Sequence, residues 1–438
     1  MVNGKKIGVI SLGCDKNRVD TEKMLGILKK RHVLTSDIMD ADIVIINTCA
    51  FLEASRKESL NEILTVGEEK KKGNIEKIIV TGCLPQKFHG DLYDGLFEVD
   101  AFLGTDNYGL INEIIDRVYD GERVNAVCEG GGDSGIDRVL TTDNYVYLKI
   151  AEGCSNHCTY CLIPQIRGKY RSVKKETLID EVKKLGVIKE LILVAQDVTK
   201  YGEDLTPKSS LPDLIRSLSA LDNVIGIRLL YCYPEGITDE LIREFQGNAK
   251  MMRYIDIPFQ HADDRILKLM NRKGSFNTYL NLVERLKREI SGIAIRSTFI
   301  AGFPTEGEDE FNRLLDFIKK AKLFNAGFFS YSKEEGTPAS KLDGQIAKSV
   351  KTKRVKKLYA EQKKVVNRNF KEMEGKVFSV LAEGFDEEKS VYYGRAYFNA
   401  PSIDGVVYFF SGEEVKTGEC YNVKIIKGYD YDLYGERI

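Results

Sequence analysis

Along residues 1–125, short apolar runs alternate with longer amphipathic stretches at a regular beat. Residues 6–12, 43–46 and 77–80 read as strands, with helical periodicity over 17–30 and from about 52 to 66. Strands separated by helices predict a parallel sheet. Each of these three strands ends at a cysteine: Gly13-Cys14, Asn47-Thr48-Cys49 and Thr81-Gly82-Cys83. The cysteines step by 35 and 34 residues, the length of one βα unit. Loops at the carboxyl ends of neighbouring parallel strands meet at one edge, so the pattern predicts that three distant cysteines come together.

A Gly-rich stretch, 129–135, reads as a linker. Beyond it the alternation resumes, with strands expected over 145–150, 191–195, 226–231, 254–258, 295–301 and 326–331. Helices are expected over 175–185, 211–220, 264–270 and 278–289. Six strands point to a partial, open β/α barrel and not the full eight; its first strand carries Cys154 to the carboxyl rim, where barrel enzymes keep their chemistry. Residues 346–370 form a basic helix with nine Lys or Arg against one acid, Glu361, and with Val355, Leu358, Tyr359, Val366 and Phe370 on one face. After it the period changes: 371–438 is rich in Tyr, Phe and Val with Gly turns, as in a small all-β barrel. The expected fold class is α/β, with a parallel-sheet domain (1–125), a linker (126–140), a partial (β/α)6 barrel ending in the basic helix (141–370) and a terminal β-barrel (371–438).

Composition narrows the function. At 438 residues with 43% apolar and 30% charged, the chain has the make-up of a soluble, multidomain globular protein. A net charge of −1 gives no global field that would recruit nucleic acid or membrane, so electrostatic targeting must be local. No apolar run approaches the roughly 18 residues of a membrane span, and residues 7–12 are too short for a secretory leader and run into Asp15 and Lys16. Nine cysteines, an odd number in a long chain, argue against a disulfide framework and for a reducing, cytoplasmic setting.

Cys154, Cys158 and Cys161 form a C-x3-C-x2-C. Taken alone this is iron–sulfur, zinc or chance; structural zinc normally takes four ligands, and although His157 lies inside the motif no second ligand pair follows. Three thiolates can hold a cubane cluster and leave its fourth iron open, whereas an electron-transfer cluster takes four. Cys14, Cys49 and Cys83 are either a second open set or three buried small hydrophobes. Cys128, Cys232 and Cys420 have no partners at metal spacing and read as structural.

The C-x3-C-x2-C segment closely resembles the radical S-adenosylmethionine superfamily, and Tyr160 stands where that superfamily favours an aromatic. The segments SLGCDKNRVDTE, INTCAF and TGCLPQ resemble the N-terminal domain of the methylthiotransferases, AEGCSNHCTYCLIPQIRG and FSYSKEEGTPAS their radical domain, and the terminal barrel their TRAM domain. Within that family GCLPQ, LLYCYPEGITDELI, DIPFQHADDRILKLMNRKGS, NAPSIDG and YDLYGE match the RimO type, which modifies ribosomal protein twelve of the small subunit. One departure is Asp15, where that type usually has proline; it adds a carboxylate beside the first cysteine.

The resemblance implies two [4Fe-4S] clusters, one on Cys154, Cys158 and Cys161 that cleaves S-adenosylmethionine to a 5′-deoxyadenosyl radical, the other an auxiliary cluster on Cys14, Cys49 and Cys83 that carries the transferred sulfur. It implies conversion of an aspartate of ribosomal protein twelve to 3-methylthioaspartate at its β-carbon, with two S-adenosylmethionine molecules and an external electron donor. Apart from the resemblance, rim position makes Gln196, Asp197, Gln260 and Arg296 candidate S-adenosylmethionine contacts, with Thr298, Ile300 and Gly302 along the fifth strand near the adenine, or else structural hydrogen-bonding groups; Tyr160 is a further candidate, or a core-packing ring. Residues 371–438 hold 13 acids and 8 bases, net −5. An RNA-gripping module should be basic, whereas an acidic one suits a basic ribosomal protein. The basic helix is either a solvated face or a contact for ribosomal RNA phosphates. The rival functions are a tRNA methylthiotransferase acting on a modified adenosine and a non-catalytic, metal-stabilised RNA-binding adaptor.

Overall fold

A computed structural model describes residues 1–127 and 137–438; Cys128 and the linker stretch 129–135 lie outside the described residues. The first sheet contains β1 (Lys6–Ser11), β2 (Val33–Thr35), β3 (Ile43–Thr48), β4 (Lys77–Gly82), β5 (Ala101–Leu103) and β6 (Val124–Ala126), all parallel, in the order β2-β1-β3-β4-β5-β6. The central strands β3 and β4 are Ile/Val runs buried on both faces, the composition of a parallel sheet covered by helices. Those helices are α1 (Asp15–Leu28), α2 (Glu53–Lys71), α3 (Cys83–Gly95) and α4 (Ile111–Tyr119). Helix α1 begins two residues earlier than its periodicity predicts, and α2 runs five residues further, through its charged end Glu68–Lys71.

The second sheet comprises β7 (Val146–Lys149), β10 (Leu191–Val194), β11 (Ile227–Leu229), β12 (Met251–Asp256), β13 (Ala294–Ala301) and β14 (Asn325–Ser330). All six are parallel, in the order β14-β13-β12-β11-β10-β7. The strand expected at 254–258 sits earlier because Pro258 has no N–H for the ladder. Between β7 and β10 lie the short ribbon β8 (Ala151–Glu152) and β9 (Arg171–Ser172), with α5 (Ile163–Ile166) and α6 (Lys175–Lys183). Helices α7 (Leu211–Ser219), α8 (Asp239–Gly247), α9 (Asp264–Leu269), α10 (Phe276–Glu289) and α11 (Glu308–Ala321) complete the crossovers. The largest core lies between these helices and one face of the sheet.

The basic helix is α12 (Lys348–Lys371). Leu358, Val366 and Phe370 are buried on it. So is Arg354, counted by its sequence among the surface bases: it donates to the Glu306 main-chain oxygen and carboxylate, each at 2.8 Å. A closed barrel follows, β15 (Val377–Asp386), β16 (Val391–Arg395), β17 (Val407–Phe410), β18 (Cys420–Tyr429) and β19 (Asp432–Arg437), in the order β15-β16-β17-β19-β18. Its core continues into the other face of the second sheet through Tyr147, Ile192, Leu230 and Tyr254. Arg228 donates to the Tyr397 carbonyl at 2.7 Å, Arg395 pairs with Glu190, and Asp404 accepts from Tyr254 at 2.7 Å. Glu190 directly precedes β10, Arg228 is the middle residue of β11 and Tyr254 lies just past the middle of β12, so the small barrel packs against the concave face of the second sheet.

Candidate active site

Cys14, Cys49 and Cys83 each follow the carboxyl end of a strand (β1, β3, β4), and the parallel register of those neighbours brings them to one edge. Gly13 has φ +91°, and a Cβ on it would lie 2.8 Å from the Cβ of Cys49; only glycine lets the two cysteine loops approach this closely. Asn17, on the first turn of α1, ties the edge together. Its amide donates to Leu12 O and Thr48 O, both at 3.0 Å. Its Oδ1 lies 3.9 Å from Cys14 Sγ and 3.8 Å from Cys83 Sγ. Sequence reasoning passed over Asn17; the signal was its place one helical turn after the first cysteine.

Cys154, Cys158 and Cys161 occupy the loop after β8. Gly153 has φ +76°, and a Cβ there would meet Lys169 O at 2.2 Å. The main-chain N–H groups of Asn156 and Ile163 point at Cys154 Sγ (3.5 Å) and Cys161 Sγ (3.4 Å), and the Tyr233 hydroxyl lies 3.6 Å from Cys158 Sγ. Arg272 stacks 4.1 Å from the Tyr233 ring centre. Burial pushes the Cys83 and Cys161 thiols up to about 12 and raises Cys49 and Cys154 as well. Bare thiols there keep their protons, and metal binding releases them.

Both triplets suit iron–sulfur clusters. Each offers three thiols; main-chain N–H groups are aimed at Cys154 and Cys161 and the Arg167 guanidinium at Cys83, and donors to sulfur are how proteins stabilise cluster charge. Among the described residues no three His, Cys, Asp or Glu side chains converge closely enough to share one metal ion; a cluster gives each thiolate its own iron and asks for a wider triangle.

The first domain lies across the gap of the partial barrel and holds both of its edges. Beside β7, Asp20 pairs with Lys149 and accepts from Arg167 at 3.0 Å, and Arg167 donates to Glu152 at 2.6 Å. Beyond β14, the buried Glu334 accepts from the Glu53 N–H at 3.1 Å and pairs with Arg56. Asp15 is partly neutralised: Lys16 lies 3.0 Å and the Tyr231 hydroxyl 3.3 Å from Oδ1, while Oδ2 has no partner.

Of the expected S-adenosylmethionine contacts, Arg296, Thr298 and Ile300 share the concave face of β13 and are half-buried, while Ser297 and Phe299 between them are buried under helices. Arg296 is held 3.0 Å from Asp256 and 3.5 Å from Asp404 of the small barrel, so it also ties the barrels together. Gln196 donates to Glu152 at 2.7 Å. Asp197 is fully buried, accepting from Asn156 at 2.8 Å and capping the Thr199 N–H at 3.1 Å. Gln260 adopts φ +73° and its main chain bridges to β13 at Phe299. Gly302 packs against Lys351 of α12, and Tyr160 packs beside Met270 and Phe303. Cys232 is fully buried, whereas Cys420 is exposed on β18.

A parallel six-stranded partial barrel whose first crossover carries C-x3-C-x2-C at its carboxyl end defines a radical S-adenosylmethionine enzyme. Family profiles agree: residues 148–318 match the radical SAM superfamily, 6–104 the uncharacterized protein family UPF0004, and 375–438 the TRAM domain. Ribosomal protein uS12 methylthiotransferase RimO of Acetivibrio thermocellus is 46% identical over 99% of this chain and 98% of its own, and that of Lachnoclostridium phytofermentans 45% identical over 98% and 99%. The chain therefore belongs to the RimO family of radical S-adenosylmethionine methylthiotransferases. Among solved structures, the radical S-adenosylmethionine methyltransferase TsrM of Kitasatospora setae shares the fold at TM-score 0.58 and 14% identity, covering 77% of each chain. The radical enzyme OxsB matches at TM-score 0.54 and 12% identity over 83% of this chain and 56% of its own.

Proposed function

We propose that this radical S-adenosylmethionine methylthiotransferase converts an aspartate of small-subunit ribosomal protein twelve to 3-methylthioaspartate at the β-carbon. The methylthiotransferase chemistry is supported by two three-cysteine sets, each at the carboxyl edge of its own parallel sheet, in domains tied together through Asp20, Lys149, Glu152 and Arg167. The observation that carries the choice of a ribosomal-protein substrate is the 46% and 45% identity, along nearly the whole chain, to uS12 methylthiotransferases. Cys154, Cys158 and Cys161 would hold one [4Fe-4S] cluster and Cys14, Cys49 and Cys83 the other. Bound, they supply reductive cleavage of S-adenosylmethionine and a transferable sulfur, with a second S-adenosylmethionine as methyl source and an external reductant.

The protein's own groups bind and orient. Tyr233 and the Asn156 and Ile163 N–H groups support the sulfurs of the radical set. The concave residues Thr298 and Ile300, with Tyr160, Gln196, Asp197, Gln260, Arg296 and Gly302, are our candidates for S-adenosylmethionine contacts. Domains divide at 1–125, 126–140, 141–370 and 371–438. The target is a basic ribosomal protein, and the acidic TRAM barrel supplies the complementary charge. The exposed lysines of α12 (Lys348, Lys353, Lys356 and Lys357) suit ribosomal RNA phosphates. No helix among the described residues is long and apolar enough to cross a membrane, and we place the activity in the cytoplasm with the ribosome.

Mass spectrometry of ribosomal protein twelve and of tRNA from a deletion strain tests the reading. Loss of the methylthio mass from the ribosomal protein alone supports it; loss from tRNA adenosines alone overturns it.

A further inference from the structure

Arg167 links the segment that carries the radical set to the auxiliary set, reaching Cys83 Sγ. It leaves α5, six residues after Cys161, and it is only 3% exposed. Its main chain runs behind the radical set: the Cys154 N–H donates to Gly168 O at 3.1 Å. A Cβ on Gly153 would lie 2.8 Å from Arg167 O. Its side chain crosses into the first domain. Nη1 donates to Asp20 Oδ2 at 3.0 Å and to Glu152 Oε2 at 2.6 Å, while Nη2 donates to Asn17 Oδ1 and reaches Cys83 Sγ at 3.5 Å.

Among the described residues, Lys149 bridges the same two carboxylates, to Asp20 and, at 2.9 Å, to Glu152. The guanidinium is buried with these groups and is the cation that reaches Cys83 Sγ. Away from water, a charge at this distance is felt strongly. The potential of a thiolate-held cluster follows its net charge and the hydrogen bonds to its sulfurs. A cation donating to a ligand sulfur favours the form carrying the extra electron.

We infer that Arg167 is a positioning residue that fixes the auxiliary set against the radical set and raises the reduction potential of the group held by Cys14, Cys49 and Cys83. This rests on the two-cluster reading above. It also predicts a sign for its neighbour: Asp20 offsets the guanidinium, so removing that carboxylate must move the potential the opposite way.

The test uses the full chain with Cys154, Cys158 and Cys161 replaced by Ala, reconstituted anaerobically with iron and sulfide and titrated by electron paramagnetic resonance. About four irons per chain should remain in this parent, the content of one [4Fe-4S] cluster. Arg167→Gln then shifts the midpoint to more negative values, Arg167→Lys leaves it close to the parent, and Asp20→Asn shifts it to more positive values. An Arg167→Gln midpoint equal to the parent's overturns the inference while the cluster assignment stands, as does an Asp20→Asn shift in the same direction as Arg167→Gln. A parent that retains no iron takes both down. Should Arg167→Gln fail to fold, the sign of the Asp20→Asn shift decides.

Discussion

The two cysteine triplets reach similar chemistry by opposite routes. Cys154, Cys158 and Cys161 lie within one loop, and their spacing alone fixes their neighbourhood. Cys14, Cys49 and Cys83 belong to three separate βα units, and only the pairing of β1 with β3 and of β3 with β4 puts them side by side. The first triplet is a property of a loop and the second of a folded sheet. Their ligand chemistry is alike, so they should differ mainly in how damage elsewhere reaches them.

The largest effect should come from the loop itself. Cys154→Ala is expected to abolish 5′-deoxyadenosine formation and to lower anaerobically reconstituted iron from about eight to about four per chain; a variant that still makes 5′-deoxyadenosine would remove the radical assignment. Next comes the sheet. Ile46 is fully buried in β3, and Ile46→Ala should destabilise the first domain by about 2–5 kcal/mol. Iron should be lost from the auxiliary triplet while the radical triplet keeps its own, as read by iron content and paramagnetic signal. Equal loss at both would erase the contrast. Asn17→Ala strands the Leu12 and Thr48 carbonyls it satisfies, at about 1–3 kcal/mol, and should loosen the auxiliary set while lowering the melting temperature less than Ile46→Ala does.

A control touches neither triplet. Burial alone would raise the Glu190 carboxyl, but Arg228 and Arg395 hold it below the ordinary value. A depressed folded value stabilises above the unfolded pKa of about 4.3, and that contribution is lost as pH falls through the folded value. Glu190→Gln should therefore flatten the acid limb of the melting-temperature profile and leave iron content unchanged. An unaltered acid limb would show that the small barrel is not held by this carboxylate.

The same contrast explains what the sequence could disclose. Strand-ending cysteines at βα spacing were legible because hydrophobic period and chain order determine a parallel sheet edge. Asn17 and Arg167 were not, because an amide and a guanidinium take their roles from partners far away in the chain, Thr48 for one and Cys83 for the other. Arg354 misled by composition: among nine bases on one helix nothing local marks the one that turns inward to Glu306. Arg296 was legible as a residue of the fifth barrel strand, but its engagement with Asp404 depends on how the terminal barrel docks, and no periodicity records docking. The departure at Asp15 likewise changes meaning once Lys16 and Tyr231 are seen against it.

The small barrel shares one apolar interior with the concave face of the second sheet, through Tyr147, Ile192, Leu230 and Tyr254. Trimming the chain before β15 would therefore bare greasy strand surface in the middle domain as well as remove the last one, so the shortened protein should clump and not merely lose an accessory.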